Sequence, residues 1–85
     1  MIMPQRMTVN ISDMVAKYVH HKVQDVKEDE NRIVRELLEE GYEAKLGNLY
    51  RRYVSGEITL RNIARELGLE YRELYQLLEE KHLPF

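Results

Sequence analysis

Residues 6–11 read Arg-Met-Thr-Val-Asn-Ile, and they are the one stretch of the chain with a clear period of two. Met7, Val9 and Ile11 fall on one face of such a segment, and Arg6, Thr8 and Asn10 on the other. That alternation predicts a β-strand with an apolar and a polar side. Pro4 stands just outside it, where a missing N–H does little harm. A lone strand leaves its ladder N–H and C=O groups without partners. A second copy of the chain would supply them, by pairing two strands antiparallel across a two-fold axis. The length points the same way, because 85 residues enclose only a marginal core. The chain has no cysteine, so neither a disulfide nor a thiolate metal site adds stability. Oligomerisation remains, and the missing thiols fit a reducing cytoplasm.

Everything after residue 11 is patterned for helix. Ser12 is placed to cap a helix, and Asp13 would sit in its positively polarised first turn. Val15, Tyr18, Val19, Val23 and Val26 then recur at helical spacing, with Lys22 among them, which predicts a helix over residues 13–25. Lys27-Glu28-Asp29-Glu30 interrupts the pattern, and Asp29 is the next candidate cap. Apolar residues from Ile33 to Val54 resume the helical period. Gly41 and Gly47 fall inside this stretch; each costs about 1 kcal/mol relative to Ala, so a kink or an end is expected near Gly47. Ser55-Gly56-Glu57 is a clearer stop. Thr59 can cap a short helix carrying Leu60, Ile63, Ala64 and Leu67, Gly68-Leu69 makes a tight turn, and residues from Tyr71 to Leu78 form a last helix. The expected fold class is therefore mainly α. One strand and two helices occupy residues 6–47, and a helical tail with a helix–turn–helix pair occupies residues 48–85.

With 44% hydrophobic and 33% charged residues, the composition is that of a folded domain. No apolar run approaches the roughly 18 residues of a membrane span, and the first six residues lack the apolar core of a signal peptide. A cytoplasmic location is the expectation. The formal net charge of −2 weighs against nucleic acid, but the position of the cations decides that question more than their sum.

The strand, the Ser12-Asp13 helix start and the run Asn31-Arg32-Ile33-Val34-Arg35-Glu36-Leu37-Leu38 resemble the ribbon-helix-helix family of prokaryotic repressors and antitoxins. The resemblance implies a homodimer whose paired strands enter the major groove of double-stranded DNA at a palindromic operator. Arg6, Thr8 and Asn10 stand at the matching base-contacting positions. Their chemistry suits the role: Arg bonds guanine O6/N7 bidentately, Asn bonds adenine N6/N7, and Thr meets either a base edge or a thymine methyl. In the family, the start of the second helix holds a phosphate. Here that position has Lys27, Asn31 and Arg32 as phosphate-contacting candidates, with the carboxylates of residues 28–30 beside them. On an exposed strand, the same polar residues can equally be ordinary solvated side chains.

Residues 49–84 are similar to the C-terminal part of uncharacterised protein family 0175, commonly read as antitoxins. Tyr50-Arg51-Arg52-Tyr53-Val54-Ser55-Gly56-Glu57 and Ile63-Ala64-Arg65-Glu66-Leu67-Gly68-Leu69 carry that likeness. Ala64 permits close helix packing, and Gly68 supplies backbone freedom at the turn. Three roles compete for the tail, and a partner-binding arm is favoured over a DNA reader for whatever surface its own core leaves free. It can read DNA through Tyr71, Arg72 and Gln76, against the repulsion of Glu70, Glu73, Glu79 and Glu80. It can bind a toxin through Tyr50, Tyr53, Tyr71 and Tyr75, a residue type enriched at interface hot spots. It can also simply close its own small core.

No catalytic motif is present, and an enzyme is not expected. His20 and His21 point to different sides of a helix, so no metal site and no cofactor are expected. The leading expectation is a dimeric, sequence-specific DNA-binding transcriptional regulator that serves as the antitoxin of a toxin–antitoxin pair. The rival is a protein-interaction module that dimerises without touching DNA, which the acidic residues 28–30 favour.

Overall fold

The computed structural model describes residues 8–25 and 27–85. Helix α1 spans Asp13–Asp25, α2 Glu30–Val54, α3 Leu60–Leu67 and α4 Tyr71–Glu80. The mainly α character expected from the periodicity is present. The ribbon is not: no strand occurs among the described residues, and residues 8–12 have no regular secondary structure. Arg6 and Met7 lie outside the described residues. This corrects the expected ribbon-helix-helix architecture. Alternating polarity gives a segment two faces, but only a ladder partner makes it a strand. Val9 and Ile11, the intended inner face, stay 51% and 45% exposed.

The helix starts lie where local chemistry puts them. The Val15 N–H donates to Ser12 Oγ at 3.3 Å, which caps α1, and the Ala16 N–H donates to the Ser12 carbonyl at 2.9 Å. Asp29 precedes α2, and its carbonyl accepts from the Ile33 N–H at 3.1 Å. Gly47 does not end α2, which runs on to Val54. The helix stops at Gly56, whose φ of +84° is the left-handed conformation that glycine adopts without steric penalty. There the Glu57 N–H reaches back to the Arg52 carbonyl at 2.9 Å. No helix among the described residues is long and apolar enough to cross a membrane.

The chain divides into two compact units, residues 1–39 and 40–85. Within the first, Val19 and Ile33 are the buried hydrophobics among the described residues, at 3% and 2% exposure. Met14, Val15, Tyr18 and Leu38 of that unit remain exposed.

The second unit has a continuous core of Leu46, Leu49, Ile63, Ala64, Leu74 and Leu78, with Tyr50, Tyr53, Leu67 and Leu83 packed against it. Leu46 and Leu49 come from α2, Ile63 and Ala64 from α3, and Leu74 and Leu78 from α4, so three helices share one apolar centre. Ala64 is the small residue among them, as close helix packing requires. The α3–α4 corner is built at Gly68, in the left-handed region at φ +67° and ψ +34°. The Leu69 N–H there closes on the Ala64 carbonyl at 2.9 Å. The result is a helix–turn–helix pair braced by the end of α2.

Candidate functional site

Thr59 fixes the start of α3. The Asn62 N–H donates to Thr59 Oγ1 at 3.3 Å, and the Thr59 N–H donates to Asn62 Oδ1 at 2.8 Å. With the helix anchored there, Ile63, Ala64 and Leu67 turn inward, and Arg61, Asn62, Arg65 and Glu66 turn to solvent. At α4 the Glu70 N–H donates to Glu73 Oε1 at 2.9 Å, which engages one of the acidic side chains of that helix locally. Leu74 and Leu78 face the core, and Arg72, Gln76, Glu79 and Glu80 are exposed. Two surfaces result.

The first is an aromatic groove lined by Tyr53, Ile58, Leu60, Arg61, Tyr71 and Tyr75. Tyr71 and Tyr75 sit one helical turn apart with ring centroids 5.9 Å apart and planes at 29°. Phe85 stacks on the Tyr75 ring at 4.9 Å and 3°. All three rings stay substantially exposed, at 42%, 38% and 51% for Tyr71, Tyr75 and Phe85. Arg61 Nε donates to the Tyr71 hydroxyl oxygen at 3.1 Å. That hydrogen bond, with the charge interaction that accompanies it, raises the Arg61 pKa above its ordinary value. The groove thus joins apolar flanks to a fixed cation.

The second is a polar cleft of about 520 Å³ along the α2–α3 side of the same unit. Lys45, Asn48 and Arg52 of α2 line it, together with Asn62, Arg65 and Glu66 of α3. Lys45 Nζ lies 2.9 Å from Glu66 Oε1, and Arg52 Nε 3.2 Å from Glu57 Oε2. The Lys45 hydrogen bond holds the Glu66 carboxyl below the usual carboxylate range, reinforced by the charges of Lys45 and Arg52. Both pairs are more than half exposed.

The residues singled out from sequence are distributed unevenly over these features. Of the base-contacting candidates, Arg6 lies outside the described residues, and Thr8 and Asn10 are exposed on irregular backbone. Of the phosphate-contacting candidates, Lys27 sits in the loop before α2 at φ +55°, and Asn31 and Arg32 lie in the first turn of α2. Arg32 Nε is engaged 3.1 Å from Glu36 Oε1. The four tyrosines separate into pairs, Tyr50 with Tyr53 and Tyr71 with Tyr75. Tyr53, Tyr71 and Tyr75 line the groove, whereas the half-buried Tyr50 donates its hydroxyl to the Pro84 carbonyl at 2.6 Å. His21 Nδ1 lies 2.9 Å from Asp25 Oδ2, and no group of three His, Asp or Glu among the described residues is placed to hold a metal ion.

No family model matches this chain, and neither a curated protein nor a solved structure matches it.

Sequence reasoning missed Phe85 and the convergence of Lys45, Arg52 and Arg65. Phe85 follows Pro84 beyond the last helical period, so no spacing rule places it. The three cations are 7 and 13 residues apart along the chain; only the docking of α3 on α2 collects them.

Proposed function

We propose that this protein is a homodimeric, sequence-specific DNA-binding regulator of the antitoxin type, acting in the cytoplasm and holding a cognate toxin on its aromatic groove. The observation that carries the reading is the α3–Gly68–α4 corner of the second unit. In DNA-binding helix–turn–helix proteins the second helix lies in the major groove, and α4 is the second helix here. The exposed face of α4 carries Arg72 and Gln76, neither of which forms an ion pair or hydrogen bond within the described residues. Arg suits guanine and Gln suits adenine. Dimerisation is supported by the exposed apolar residues of the first unit, Met14 at 74% and Leu38 at 60% among them. Toxin binding is supported by the Tyr71–Tyr75–Phe85 stack.

The test is selection of duplex DNA from a random pool by the full chain, followed by titration of the enriched sequence. Arg72→Ala with Gln76→Ala should weaken binding to that sequence by about 1–3 kcal/mol per lost bidentate contact and leave binding to random duplex nearly unchanged. Failure to enrich any sequence, or a double variant that binds as tightly as the parent, would overturn the reading.

A specific observation favours a second reading. Glu73, Glu79 and Glu80 share the exposed surface of α4 with Arg72 and Gln76. Those carboxylates repel phosphate and suit a cationic protein partner. In that reading the chain is a protein-interaction module, and α4 with the aromatic groove forms one continuous docking surface.

A further inference from the structure

The acidity of α4 leaves a gap in the DNA-binding reading. Affinity for DNA comes mainly from cations on phosphates, and base contacts alone do not supply it. A concavity lined by three cations lies elsewhere in the second unit, on the α2–α3 side. From the juxtaposition of Lys45, Arg52 and Arg65 in one open cleft, we infer that this cleft is a binding site for the phosphodiester backbone of duplex DNA. The inference rests on the DNA-binding reading above and assigns its phosphate contacts.

Three features of the cleft support it. Arg65 is exposed, and its guanidinium makes no ion pair or hydrogen bond within the described residues, so its donors are open to a ligand. Lys45 and Arg52 are held by exposed carboxylates, Glu66 and Glu57. Exposed pairs of this kind are weak, worth little more than the water they displace, so a phosphate oxygen can take either cation over. Asn48 and Asn62 line the same cleft and add amide groups to the cations. Glu66 is the one carboxylate among the lining residues and Glu57 pairs with Arg52 beside them, so the three cations outnumber the two carboxylates, whereas the exposed surface of α4 is acidic.

The arrangement gives two opposite expectations, which a purely structural role for these residues would not give. Arg52→Gln with Arg65→Gln should weaken binding of selected and random duplex by the same factor. It should also lower the slope of log affinity against log salt by about 2, one for each lost phosphate contact. Glu66→Gln should tighten binding several-fold, because it removes the carboxylate that lines the cleft and releases Lys45. Arg35→Gln with Lys17→Gln removes two exposed cations of the first unit, neither of which lines the cleft, and serves as the charge-matched control for the double variant.

The measurement is fluorescence-anisotropy titration of the full chain on labelled duplexes from 50 to 300 mM salt, with each variant first shown to unfold at the parent's temperature. A uniform loss and a lower slope for the double variant, a gain for Glu66→Gln and no comparable loss for Arg35→Gln with Lys17→Gln would support the site. DNA binding by the parent that is unaltered in the double variant and in Glu66→Gln would overturn the cleft and leave the DNA-binding reading standing. No binding of any duplex by the parent, even at 50 mM salt, would overturn both.

Discussion

Ile63, Leu74 and Leu78 are wholly buried, each at 0% exposure, and a core this small has no reserve to redistribute their contacts. Leu74→Ala should destabilise the second unit by about 2–5 kcal/mol, measured by urea unfolding followed by circular dichroism. Two glycines give predictions of opposite sign. Gly41 lies in the interior of α2, and a Cβ there would meet nothing within 4 Å. Gly41→Ala should therefore stabilise the chain by about 0.5–1 kcal/mol. Gly68 has equally open surroundings but a φ of +67°, so Gly68→Ala should destabilise by about 1–2 kcal/mol through backbone strain alone. Equal effects of the two changes in thermal melts would refute the distinction. Glu66 sets a pH dependence. Its folded-state pKa is lowered by Lys45, so the pair contributes stability above the ordinary glutamate value of about 4.3. That contribution is lost as the pH falls through the lower folded value. Glu66→Gln should flatten this small acid-side decline, and a melting series from pH 6 to pH 3 reads the difference.

At the scale of elements, the caps determine where helices begin. Thr59→Ala removes the acceptor that the Asn62 N–H uses, and should cost about 1 kcal/mol with loss of the first turn of α3 in amide hydrogen exchange. The same local chemistry explains how much of the fold was legible in the sequence. Ser12, Thr59, Gly56 and Gly68 act on groups within a few residues, so the starts of α1 and α3, the end of α2 and the α3–α4 turn could be read directly. The continuity of α2 through Gly47 could not. A local penalty of about 1 kcal/mol is outweighed there by burial of Leu46 and Leu49 on either side of the glycine, and that packing depends on distant helices. The ribbon shows the converse: residues 6–11 have the alternation of a strand, but the alternation contains no information about a ladder partner. Tyr50 shows the same limit at the site. Its residue type groups it with Tyr53, Tyr71 and Tyr75, but its hydroxyl bonds a carbonyl 34 residues away.

On the scale of the whole molecule, the two units differ in how they bury apolar surface. Among the described residues the first has Val19 and Ile33 inside, with Met14, Val15 and Tyr18 of α1 exposed. Self-association through that surface predicts a melting temperature that rises with protein concentration, and Met14→Glu with Tyr18→Glu should abolish the rise. Sedimentation equilibrium of the same variant should give the monomer mass. Within the second unit, the ion pairs and the aromatic stack lie on the outside, and among the described residues no polar or charged side chain is buried. Ionic strength therefore becomes an independent dial in this protein. On the proposed DNA-binding role, raising sodium chloride tenfold should strip away the duplex while the unfolding midpoint barely moves, so gripping and letting go would require no loosening of the interior.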